Sequence, residues 1–122
     1  MASILIVDDD EDLRPMLVSV LVDAGHEVRS AGDGGVALRL LKQAPADLVV
    51  TDLVMPEKEG LELIQEVRQL FPHLKVIAMS GGVWGPRHNF LPVASRLGAD
   101  RVLAKPFSVH TFMDLVNEVL RM

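Results

Sequence analysis

Five acidic residues stand together at Asp8, Asp9, Asp10, Glu11 and Asp12, out of 17 in the whole chain. They follow directly on an apolar run, Ile4–Val7. Asp52 follows a second run, Ser80 a third and Lys105 a fourth. If those runs are neighbouring strands, three carboxylates, a hydroxyl and an ammonium share one rim. Carboxylates a few ångströms apart in a partly desolvated cleft repel strongly. A hard divalent cation with oxygen ligands relieves that repulsion, and few protein ligands with several waters favour Mg²⁺ over an all-protein Ca²⁺ cage. The acidic run also lacks the spacing of an EF-hand loop. A cation, a lysine and a hydroxyl around one carboxylate are what in-line phosphoryl transfer to an aspartate requires. Taken singly, the pieces have plainer uses. Asp8–Asp12 suits a solvated helix start favoured by the dipole, Asp52 suits a turn cap, and Lys105-Pro106-Phe107 suits a strand-to-helix link. Their joint placement at strand ends is what chance explains poorly.

The elements that would position them are legible from periodicity. Short β-branched runs predict strands at Ser3–Val7, Glu27–Ala31, Asp47–Thr51, Lys75–Met79 and Arg101–Ala104. Leu13, Met16, Leu17, Val20 and Leu21 recur on one face of a helix, with Gly25 as its C-terminal stop and Pro15 disturbing its first turns. A second helix is expected over Gly34–Gln43, ending before Pro45, and a third near Glu59–Leu70, ending before Pro72. The last begins after Ser108, an N-cap residue, and buries Phe112, Leu115, Val116, Val119 and Leu120. Between them, Ser80–Leu97 is the least regular stretch: three glycines and Pro86 predict a loop, and a further helix could begin only near His88–Asn89.

Strands alternating with helices imply right-handed crossovers and a parallel sheet covered on both faces. Ile4–Val7 and Leu48–Val50 are continuously apolar, as central strands are, whereas Glu27–Ala31 alternates and Arg101–Ala104 is short, as edges are. The order 2-1-3-4-5 satisfies this, giving a doubly wound, flavodoxin-like α/β fold. In that order the switch point falls between the first and third strands, where ligands of such sheets bind.

At 122 residues the chain is expected to form a single domain, residues 1–122, with an adequate core of its own. Hydrophobic residues make up 49% and charged residues 24%, which excludes disorder as a description of the whole. The mean hydropathy of +0.29 fits strands buried on both faces. No apolar run is long enough to span a bilayer and no signal-peptide pattern opens the chain, so a cytoplasmic location and no membrane partner are expected. The absence of cysteine removes disulfides, thiol nucleophiles and Cys-based zinc sites. A net charge of -5 argues against direct nucleic-acid binding. His26, His73, His88 and His110 show no ligand-pair spacing. The Gly81-Gly82-x-x-Gly85 stretch matches neither phosphate-loop motif and reads as backbone flexibility.

The chain resembles the receiver domain of two-component response regulators over essentially its whole length. The matching pieces are Ile4-Leu5-Ile6-Val7-Asp8-Asp9, Asp52-Leu53-Val54-Met55-Pro56 with Gly60, Met79-Ser80-Gly81, and Ala104-Lys105-Pro106-Phe107. The resemblance implies that Asp52 is the phosphoacceptor and that Mg²⁺ is held by Asp9 directly, by Asp8 largely through water, by Asp52 and by the Val54 backbone carbonyl. It implies that Ser80 is the switch hydroxyl, that Lys105 bridges to the carboxylate or phosphoryl oxygen, and that a cis bond precedes Pro106. The implied partners are a sensor histidine kinase or phosphotransfer protein and a downstream output domain or protein; the chain is either stand-alone or part of a longer regulator. Two features depart from the family's pattern. Val102 stands where receivers usually carry Tyr or Phe, so the aromatic swing is not carried over. The Ser80–Lys105 span is also longer than usual, so the Gly81–Asn89 loop with Trp84 is expected to carry the phosphorylation signal. Two rival functions remain at this point: a Mg²⁺-dependent aspartyl-phosphate phosphatase, which would want an acid at Val54, and a receiver-like binding module that is never phosphorylated.

Overall fold

The structure, a computed structural model, describes residues 1–53, 60–81, 96 and 98–122. Nine elements follow in chain order: β1 (Ser3–Val7), α1 (Leu13–Asp23), β2 (Glu27–Ala31), α2 (Gly34–Gln43), β3 (Leu48–Asp52), α3 (Gly60–Leu70), β4 (Lys75–Gly81), β5 (Arg101–Lys105) and α4 (Val109–Leu120). The strands form one parallel sheet in the order β2-β1-β3-β4-β5, the order the hydrophobic pattern predicts.

The period of two along each strand divides the core. Leu5, Val7, Val49, Val76 and Ala78 face Ala37 and Leu41 of α2 and Leu63, Ile64 and Val67 of α3. Ile4, Ile6, Leu48, Val50, Ile77 and Met79 face Leu17 and Leu21 of α1 and Phe112, Val116 and Val119 of α4. Every residue of β3 is buried, while β2 and β5 expose part of their length. Leu115 and Leu120, expected on the buried face of the last helix, are only partly covered.

Helix boundaries have local causes. Gly25 adopts φ +95°; its N–H donates to the Val22 carbonyl and that of His26 to the Leu21 carbonyl, a Schellman stop that closes α1. At the other end, the Asp10 side chain accepts from the amides of Asp12 and Leu13, and Arg14 N–H donates to the Asp10 carbonyl. The first helical bond thus forms ahead of Pro15, which has no N–H to continue the series, and regular helix begins only at Leu13. Asp33 and Ser108 cap α2 and α4 through Val36 N–H and Thr111 N–H. Three strand ends run past their expected limits: β3 takes in Asp52, β4 Ser80 and Gly81, and β5 Lys105. The expected helix near His88–Asn89 and the Trp84 loop lie outside the described residues. Among the described residues, no helix is long and apolar enough to cross a membrane.

Candidate functional site

Parallel register sets the depth of each functional side chain. Val7 pairs with Thr51, so Asp8 emerges beside Asp52; Asp52 pairs with Met79, one residue before Ser80. Ser80 pairs with Ala104, one residue before Lys105. The polar groups therefore occupy the last strand positions because the apolar runs end at one level. Asp8 is fully buried, and Asp52 and Ser80 nearly so.

Lys105 Nζ lies 3.0 Å from Asp8 Oδ2 and 3.4 Å from Asp52 Oδ2. The other Asp52 oxygen accepts from Leu53 N–H at 2.9 Å, so both oxygens are engaged and the carboxylate plane is fixed. Thr51, not singled out in the sequence, donates its hydroxyl to the Asp52 carbonyl at 2.9 Å. Asp8 Oδ1 accepts from Asp10 N–H at 2.9 Å, leaving neither Asp8 oxygen unengaged. Asp8, Asp9 and Asp52 each offer a carboxylate oxygen, all within 4.8 Å of one another. Asp9 is exposed, and its carboxylate has no partner among the described residues.

Electrostatics follow from that crowding. Burial pushes the Asp52 carboxyl up to about 6; the Lys105 ammonium opposes this, and the negative charge of Asp8 adds to it. Burial alone would lower Lys105, but the charges of Asp52 and Asp8 outweigh it and raise the ammonium above its ordinary value. Asp10 is lowered because its carboxylate accepts the Leu13 and Asp12 amides. A buried acid whose ionisation is disfavoured, beside two further carboxylates, is a site short of positive charge. Hard oxygen donors at this separation fit a small divalent cation.

The structure thus brings Asp8, Asp9, Asp52 and Lys105 together and sets Ser80 at the adjoining strand end. Val54 lies outside the described residues. The Lys105–Pro106 bond is cis, as the resemblance implies. His26 Nδ1 accepts from Ala2 N–H and His110 pairs with Asp114 on the surface of α4, which are structural uses. Arg14, absent from the sequence reading, reaches back across the site's first turn to the Asp8 carbonyl at 2.8 Å.

Comparison with known proteins agrees with this geometry. Residues 4–117 match the response regulator receiver domain family. The chain belongs to that family. It is 36% identical over 127 residues to the response regulator receiver protein CpdR of Brucella abortus, covering 100% of this chain and 97% of that one. It is 35% identical over 122 residues to the DNA-binding transcriptional regulator NtrC of Azospirillum brasilense, covering 98% of this chain but only 24% of that longer relative. The crystal structure of the receiver domain of NtrX from Brucella abortus superimposes with a TM-score of 0.88 at 31% identity, covering 98% of each chain. This chain is therefore a receiver domain of the two-component kind, a signalling module with the five-stranded fold of its relatives.

Proposed function

We propose that Asp52 is the phosphoacceptor of this receiver and that residues 1–122 act as one cytoplasmic signalling domain. The supporting observation is the Lys105 ammonium held between Asp8 and Asp52 on a rim where three carboxylates converge. The donor is the phosphohistidine of a sensor histidine kinase or phosphotransfer protein. An Asp52 oxygen bonds to phosphorus as the phosphorus–nitrogen bond breaks, and the imidazole nitrogen leaves with that electron pair. Asp9, Asp52 and, through water, Asp8 would hold Mg²⁺, with the Val54 carbonyl, as the resemblance to receivers implies, completing the protein ligands. When bound, the ion neutralises charge on the phosphoryl oxygens. That the exposed Asp9 carboxylate has no partner among the described residues supports its place as a direct ligand.

Lys105 is close enough to follow charge as it moves from carboxylate to phosphoryl group, and Ser80 supplies a hydroxyl one strand away. The product is an acyl phosphate on the protein, read by an output domain or protein; the domain assists its own phosphorylation and dephosphorylation without turning over a separate substrate. The phosphatase alternative is disfavoured because Val54 stands where such enzymes carry their acid. Incubation with acetyl phosphate and Mg²⁺ tests the reading by intact mass. One added phosphoryl group, absent in Asp52→Asn, is expected; undiminished labelling of that variant contradicts it.

A further inference from the structure

Hydrogen bonds in the turn between β1 and α1 flank Asp9, whose own carboxylate has no partner among the described residues. Among those residues, the backbone on either side is what sets the direction of the Asp9 side chain. A residue's φ and ψ are fixed once the two peptide planes flanking its Cα are fixed, because the planes themselves are rigid. The plane after Asp9 carries the Asp10 N–H, which donates to Asp8 Oδ1 at 2.9 Å. Asp8 Oδ2 is in turn anchored on Lys105. The plane before Asp9 carries the Asp8 carbonyl, which accepts from Arg14 Nη1 at 2.8 Å. Asp8 N–H is bonded to the Ala31 carbonyl, so the residue preceding Asp9 is held at both its N–H and its C=O.

Arg14 reaches the carbonyl by way of Gly32. A Cβ at Gly32 would stand 3.1 Å from Arg14 Nη1, closer than side chains normally pack. Gly32 has no positive φ that would call for glycine on backbone grounds. The lane beside it is what the guanidinium occupies.

We propose that Arg14 is a positioning residue: by clamping the Asp8 carbonyl through the gap at Gly32, it fixes the peptide plane that aims the Asp9 carboxylate into the cluster. This rests on the reading of Asp9 as a metal ligand. A guanidinium beside five acidic residues has an opposite electrostatic effect, since its charge competes with a cation for the same field. The two roles predict changes of opposite sign. Loss of a group that orients a metal ligand commonly costs about tenfold or more in affinity, whereas loss of a competing charge tightens binding.

Calorimetric titration of the full chain with Mg²⁺ separates them, comparing wild type with Arg14→Met, Gly32→Val and Asp9→Ala. Gly32→Val keeps every charge and only crowds the guanidinium. Roughly tenfold weaker binding is expected for Arg14→Met, with weakening in the same direction for Gly32→Val. In metal-free protein, amide exchange at Asp10 should accelerate in both. Unchanged or tighter Mg²⁺ binding by Arg14→Met overturns the inference. If Asp9→Ala binds Mg²⁺ as wild type does, the metal reading itself fails, and that result is distinct. Should Arg14→Met not fold, Gly32→Val alone decides the matter: undiminished affinity there overturns the clamp.

Discussion

Asp52 carries opposing demands, and its ionisation records them. Its carboxyl is raised from 3.8 to about 6 by burial, despite Lys105. The native state thus binds this proton more tightly than the unfolded chain does. Stability contributed by the neutral acid is full below about pH 4, declines as pH rises through about 6, and is absent above it. Asp52→Asn should therefore stabilise the metal-free protein at pH 8, by about 1–2 kcal/mol after allowing for the solvent that still reaches this nearly buried side chain, and the gain should vanish near pH 4. Thermal melts of both proteins across that range check this. Asp9 differs in being exposed and without a partner among the described residues. Its replacement by Ala should cost more Mg²⁺ affinity than replacement of Asp12, by at least about tenfold, as metal titration would show. The placement of Asp8, Asp52 and Lys105 on one rim was legible because each follows an apolar run, while their separate roles came only from the resemblance to receivers. Arg14 was not, since nothing in its own neighbourhood of sequence shows that its side chain turns back over Gly32.

At the level of elements, the rim is held in place partly from the opposite end of the sheet. Arg68, on α3, donates through Nε to the Gly98 carbonyl and through its other nitrogens to the carbonyls of Pro72 and Leu74 and the carboxylate of Asp100. Asp100 also accepts from Val76 N–H, so one guanidinium ties the end of α3, the entry to β4 and the entry to β5. Gly98 permits this with φ +123°; a Cβ there would stand 2.6 Å from Arg68 Cγ. Gly98→Ala should destabilise the fold by about 1–3 kcal/mol, and Arg68→Ala by about 2–3 kcal/mol through the polar groups it leaves unpaired. Chemical denaturation of each variant measures both. The strands, helices and sheet order were readable from periodicity because each element buries one stripe or two faces. The last positions of β3, β4 and β5 were not, since Asp52, Ser80, Gly81 and Lys105 break the apolar pattern while their backbones continue the ladder. The Arg68 tie depends on contacts some thirty residues apart and leaves no local trace.

For the whole molecule, a rim crowded with like charge costs stability that a bound cation recovers. Mg²⁺ should raise the melting temperature of the wild type, by the equivalent of about 2–3 kcal/mol at a hundredfold excess over Kd, and have much less effect on Asp9→Ala. The fold serves this chemistry by ending several buried strands at one level, so that a rigid sheet rather than a loop sets the distances between Lys105, Asp8 and Asp52. This arrangement should make Asp52, among all the neighbouring acids, the group that takes the phosphoryl. Borohydride reduces an aspartyl phosphate to homoserine, so the labelled protein can be reduced, digested and mapped by mass spectrometry. Conversion at Asp52 alone is the expected result; conversion at Asp8 or Asp9, with Asp52 intact, would contradict the account.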